Sequence, residues 1–208
     1  MTAAPPRPPA AQPWEAMVIG GSAGAFAVLK VLLPALPRDT RLPVIIVLHL
    51  PPDRPSVMAS VFARDCRLTV KEAEDKEPLA AGTVYFAPPS YHLLVESNQA
   101  LALSSDELVH HSRPSVDVLF ESAADVFGRR LLALVLSGAN QDGAAGLKKI
   151  GLAGGTAIVQ APPSAEQAAM PAAALDAWPT SAALPLDELV TLFASLGTER
   201  ATPGPLHG

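Results

Sequence analysis

The chain has 208 residues, 49% of them hydrophobic and 17% charged, with a net charge of −5. That supplies the core of one well-buried domain and is short for two. The acidic balance and the lack of any Lys/Arg run argue against a nucleic-acid partner, and no window approaches the ~20 apolar residues of a membrane span.

Residues 1–13 carry five prolines and no branched apolar residue, so they read as a Pro-rich tail with neither a packed element nor a secretory signal. Apolar runs at 15–20, 43–48, 131–136 and 155–159 predict strands. They alternate with segments of helical period at 24–36, 56–66, 115–127, 142–153 and 186–196, a pattern that predicts a parallel sheet with crossover helices. The clearest helix follows Pro114, with Val116, Leu119, Phe120, Ala123 and Phe127 on one face and Gly128 placed to stop it. Between 68 and 104 the texture changes. The short runs LTVKEA, TVYFAP, HLLVE and ALALS are separated by polar or Gly/Pro turns and predict antiparallel strands or hairpins inserted beside the main sheet. The end, 197–208, is again Pro/Gly-rich and reads as a flexible tail, which leaves 14–196 as the globular domain. The single cysteine, Cys66, cannot close an internal disulfide. It fits a structural role in a reducing compartment, so a cytoplasmic protein is expected.

The run Met17-Val18-Ile19 enters Gly20-Gly21-Ser22-Ala23-Gly24, a G-x-S-x-G pattern. Such a turn reverses a strand into a helix and projects the serine hydroxyl at the strand's carboxyl end. The amides that open the following helix suit an oxyanion or a phosphate equally well. Neither the dinucleotide loop nor the P-loop survives on residue identity, since Ser22 or Ala23 stands where a second glycine is needed and no Gly-Lys-Ser/Thr follows. A serine that merely caps the helix remains the plain alternative.

A nucleophilic serine needs a base and a group to orient the base. His49 ends the apolar strand PVIIVLHLPP, which places it on the same sheet edge as Ser22. Asp142 follows the strand in LLALVLSGANQDGAAG and offers the third member, against the alternative of an ordinary N-cap. The order Ser, His, Asp differs from that of the α/β-hydrolases, in which the histidine comes last. His110-His111 reads as a solvated loop pair, and the spacing of His, Asp and Glu suggests no metal cluster.

These residues resemble the catalytic domain of the CheB-type chemotaxis protein-glutamate methylesterases. The likeness is carried by VIGGSAGA, IIVLHLPP, GTVYFAPPSYHLLVE, RPSVDVLFESAA, LSGANQDGAAGL, GGTAIVQ and AAMPAAAL, over roughly residues 15–195. It implies an α/β fold with a doubly wound, mostly parallel sheet, crossover helices and an inserted antiparallel hairpin element. It also implies a triad of Ser22, His49 and Asp142 with no metal or organic cofactor. The implied reaction is hydrolysis of glutamate γ-methyl esters on the cytoplasmic helices of chemoreceptors, or on another methylated signalling protein, with glutamine deamidation in some members. Backbone amides near Ala23 and Ala139 are expected to form the oxyanion site. Arg113 and His92 are candidates for shaping the substrate groove, against plainer readings as a surface arginine and a hairpin histidine. Three departures bear on this. The family's usual receiver domain is replaced by the Pro-rich segment, so control by a receiver within this chain is not expected. Ala139-Asn140 stands where many relatives have Met-Gly, which keeps the amide at 139 but alters loop flexibility, and Ala25 replaces a second glycine. Two other readings stand beside this one: a stand-alone serine esterase of a non-motility signalling system, and a receptor-binding module without turnover.

Overall fold

The computed structural model describes residues 14–49 and 57–197. Its strands are β1 (Ala16–Gly21), β2 (Val44–Leu48), β3 (Thr69–Glu72), β4 (Thr83–Phe86), β5 (His92–Val95), β6 (Leu101–Ser104), β7 (Leu131–Val135), β8 (Thr156–Gln160) and β9 (Ala182–Leu184). Its α-helices are α1 (Ala25–Ala35), α2 (Met58–Phe62), α3 (Val116–Phe127), α4 (Ala144–Leu152), α5 (Ala169–Ala177) and α6 (Leu186–Ala194). A seven-stranded sheet runs in the order β3-β4-β2-β1-β7-β8-β9, and every pairing in it is parallel. β5 and β6 form a separate antiparallel pair that packs on α3. The chain starts at β1, builds outward on one side through β2, and returns to the other side at β7. That reversal opens a crevice beyond the carboxyl ends of the central strands.

The central strands are near-continuous apolar runs because both faces are covered. Ala16 and Val18 of β1 point into the core shared with α3 and α4, whereas Met17 and Ile19 point into the core shared with α1 and α6. Ile45 and Val47 alternate with Val44, Ile46 and Leu48 on β2 in the same way, as the two-residue period of a strand requires. Among the described residues, no helix is long and apolar enough to cross a membrane.

The four central strands and the helices begin and end close to where periodicity places them. The segment 68–104 differs from expectation. LTVKEA and TVYFAP supply β3 and β4, which join the main sheet in parallel rather than as hairpins. The clue is burial: all four residues of β4 are buried, as an interior parallel strand demands, and run length alone cannot distinguish strand direction. Only HLLVE and ALALS form the inserted hairpin. The helix expected over 56–66 is shorter, and its first residue lies outside the described residues, as do 1–13 and 198–208. α5 and β9 carried no periodic signal. The former is alanine-rich without a sharp apolar stripe, and the latter has three residues, none of them buried.

Gly20, in β1, lies directly beneath the start of α3. A Cβ added there would come 2.1 Å from Val116 Cγ1, and Val116 is fully buried and cannot swing away. Gly20→Ala is therefore expected to lower the unfolding free energy by about 1–3 kcal/mol through overpacking. Urea denaturation reads this directly, and an unchanged midpoint would mean that α3 retreats without cost.

Candidate active site

Ser22, His49 and Asp142 lie beyond the carboxyl ends of β1, β2 and β7, three neighbouring strands with the serine strand in the middle. The sheet itself sets their backbones. The His49 N–H donates to Gly21 O at 3.1 Å and the Ser22 N–H to Ser137 O at 2.9 Å, so the ladders of β1 with β2 and with β7 run on into the site. Ser22 is not a helix cap. The N-cap of α1 is Gly24, at φ 84° and with no side-chain cap hydrogen bond, a left-handed conformation that glycine adopts without penalty. The serine hydroxyl makes no hydrogen bond among the described residues, a loose arrangement common in hydrolases before substrate binds.

Asp142 is fully buried. Its Oδ2 accepts from His49 Nε2 at 2.8 Å and from the Val116 N–H at 2.7 Å. Its Oδ1 accepts from the Ser115 hydroxyl at 2.8 Å and the Asp117 N–H at 3.0 Å. Burial by itself would raise this carboxyl's pKa. The hydrogen bonds from His49, from the Asp117 and Val116 amides and from Ser115 outweigh that, and hold it below the ordinary carboxylate range. The carboxylate therefore sits at the amino end of α3, where amides and helix dipole both favour negative charge. It does not cap α4, whose N-cap is Gly143 with no side-chain bond. An ionised carboxylate only accepts, so His49 Nε2 carries the proton shared with Asp142 and Nδ1 is left as the ring's acceptor. This is the reverse of the ring orientation in the serine-protease triad.

A second group steadies the serine loop. Ser137 is fully buried. Its hydroxyl donates to Ala23 O at 2.7 Å and accepts from the Gln167 N–H at 2.9 Å, and its own N–H donates to Gln160 Oε1 at 2.9 Å. Ala23 and Ala139 are exposed, and among the described residues neither backbone N–H has an acceptor. Asn140, expected to alter the loop's flexibility, accepts the Asp142 N–H at 3.2 Å on its side-chain oxygen, a local turn that braces the aspartate.

The two groove candidates make local structural contacts. His92 is 2% exposed; its Nδ1 accepts from the Ser115 N–H at 3.2 Å, so its Nε2–H donates to Glu107 O at 2.9 Å. With both ring nitrogens engaged in the wall, His92 offers no face to a groove. The Arg113 guanidinium donates to the carbonyls of Ser105 and Asp106 at 2.7 and 2.8 Å, fastening that loop. Cys66 donates weakly to Leu33 O at 3.6 Å, and burial pushes its thiol pKa up, as suits a structural cysteine.

Two expectations about histidines and metals need correction. His110 is not simply solvated: its Nε2 lies 3.1 Å from Asp117 Oδ2. The fold also gathers His110, Asp117 and Asp142, 7 and 25 residues apart in neighbouring steps, so that one possible ligand atom of each lies within 4.8 Å of the others. Sequence spacing gave no hint of this group. The Asp142 oxygens in it already accept four hydrogen bonds. Ser115, Asp117, Ser137 and Gln160 are the residues that the motif reading missed, and a Pro-Ser-x-Asp run opening a helix was the one available signal for the first two.

Comparison with known proteins finds relatives of the chain as a whole. A family model described as CheB methylesterase matches residues 17–193. A Leptospira interrogans protein with a provisional name of protein-glutamate methylesterase/protein-glutamine glutaminase is 44% identical over 183 residues, covering 88% of this chain and 95% of that one. The protein-glutamate methylesterase/protein-glutamine glutaminase of Geobacillus kaustophilus is 40% identical over 192 residues, covering 90% of this chain and 55% of its own. The crystal structure of the Thermotoga maritima CheB methylesterase catalytic domain superposes with a TM-score of 0.80 at 29% identity, over 86% of this chain and 98% of that one.

Proposed function

The chain belongs to the CheB methylesterase family, and from the arrangement at its strand ends we propose how it works as a protein-glutamate methylesterase. The substrate is a glutamate γ-methyl ester on a methylated signalling protein, most specifically the cytoplasmic helices of a chemoreceptor, met in the cytoplasm. The observation that carries the mechanism is the 2.8 Å bond between His49 Nε2 and a buried, ionised Asp142.

His49 Nδ1 takes the hydroxyl proton of Ser22 as Oγ attacks the ester carbonyl. Asp142 stabilises the imidazolium that forms, and the amides of Ala23 and Ala139, which have no acceptor of their own, receive the oxyanion. Each such donor is worth roughly 3 kcal/mol in other serine hydrolases. Collapse breaks the bond to the methoxy oxygen, which leaves as methanol with the proton from His49. Water then attacks the acyl-enzyme with His49 again as base, releasing the glutamate carboxylate and the serine. The same acyl-enzyme forms from glutamine with ammonia as leaving group, in keeping with the glutaminase in the relatives' names.

Methanol release from a methylated chemoreceptor cytoplasmic fragment tests this reading, with His49→Ala as the comparison. Wild-type release that falls by on the order of 10⁴-fold or more in the variant is expected. A folded wild type that releases none, beside a working control methylesterase, would sink the chemoreceptor assignment.

A further inference from the structure

The amino ends of α3 and α4 are tied together by two carboxylates, each of which serves the other's helix. Asp142, in the loop before α4, accepts from Ser115 and the first amides of α3 at 2.7–3.0 Å. Asp117, in the first turn of α3, accepts the Gly146 N–H of α4 at 2.7 Å on Oδ1 and meets His110 at 3.1 Å on Oδ2. Each carboxylate thus pairs with one imidazole: Asp142 with His49, Asp117 with His110. The helices approach closely here because residue 146 is glycine; a Cβ there would lie 2.5 Å from Phe120 Cβ and 3.2 Å from Asp117 Cα.

His110 reaches Asp117 from an unusual backbone. Val109 and Ser112 exchange backbone hydrogen bonds at 3.2 and 2.9 Å, and the two residues between them, His110 and His111, sit at φ 49° and 60°. That is a two-residue turn with both centres left-handed, a place that Asn-Gly usually fills. A strained backbone held in place calls for a reason, and the contact it makes is with Asp117, the carboxylate that ties the first turn of α3 to the amino end of α4.

We infer that Asp117 and His110 are positioning residues for the reaction: they hold the first turn of α3 where its two amides and Ser115 aim Asp142, and through it His49. The inference rests on the reading of Asp142 as the triad carboxylate. His49 and Asp142 keep their own contact in any variant of the pair, but lose the frame that sets its angle and distance.

The test uses the whole protein and the variants His110→Ala, Asp117→Ala and Asp117→Asn. Two readouts are taken: kcat and KM for methanol release from the methylated receptor fragment, and the low-field proton resonance of the His49–Asp142 hydrogen bond in the protein without substrate. His110→Ala and Asp117→Ala are expected to lower kcat by roughly 10- to 100-fold with KM unchanged, and to shift or broaden that resonance. Asp117→Asn is expected to restore both, because its amide oxygen still accepts from Gly146 and its NH₂ can donate to His110. A wild-type kcat and resonance in His110→Ala, with only the unfolding midpoint lowered, would overturn the inference and leave the pair a plain structural contact. Should Asp117→Ala fail to fold, His110→Ala and Asp117→Asn decide alone. Should wild type release no methanol, the proposed substrate fails while the resonance still decides the positioning role.

Discussion

Ser22→Ala is expected to lower kcat for methanol release by on the order of 10⁵-fold or more and to leave the fold as it is. The first half follows from the proposed chemistry: the variant has no attacking oxygen at residue 22, and oxyanion stabilisation and binding alone give only residual rate over water. The second half follows from the contacts. The Ser22 side chain makes no hydrogen bond among the described residues, while its backbone stays anchored to Ser137 and Ala25. A change of at most about 0.5 kcal/mol in unfolding free energy is expected. A serine-reactive fluorophosphonate probe supplies a check that needs no receptor: it should label wild type and not the variant. Equal labelling of both would place the nucleophile elsewhere.

Asp142→Ala is expected to damage both activity and stability. Activity falls by roughly 10⁴-fold because the imidazole loses its orientation and its counter-charge. Stability falls by about 3–5 kcal/mol, because the change strands the Ser115 hydroxyl and the Val116 and Asp117 amides in a buried site without an acceptor. Asp142→Asn keeps an acceptor for part of this set, so it should lose a comparable share of activity but less stability. The pH dependence separates charge from shape. The folded-state pKa of Asp142 lies below its unfolded value, so its contribution is full above the ordinary carboxylate pKa of about 4 and is lost as pH falls through the folded value. The stability gap between wild type and Asp142→Asn, from urea unfolding at a series of pH values, should therefore narrow below about pH 4. A gap that stays constant into acid would mean that the carboxylate charge is not what the site stabilises. Asp117 works in the opposite sense: burial raises its carboxyl pKa against the pull of the Gly146 amide, so protonation there favours the folded state as the pH falls.

Much of the site was legible before folding, for a physical reason. A buried parallel strand is a continuous apolar run, and whatever polar residue ends the run must lie on the sheet's carboxyl edge. Ser22 and His49 directly follow such runs and Asp142 lies in the loop after a third, so their shared edge followed from the sequence. What β2-β1-β7 adjacency adds, with Ser22 in the middle, depends on the order in which the strands assemble. The direction of β3 and β4 was misread because four-residue runs carry no record of their partners.

The sequence by itself therefore determined the alternation of strands and helices, the glycine-flanked serine turn, and which three residue types stand at the sheet edge, since these depend on local periodicity and residue size. Only the tertiary structure decided how the aspartate is held. Besides His49, its donors lie 25 to 27 residues away, on the amino end of a helix whose apparent cap, Ser115, turns its hydroxyl to Asp142 instead of to its own backbone. It also placed His92 in the wall and His110 against Asp117. Backbone amides have no side-chain identity to read, so where they point is known only once the helices that carry them have packed.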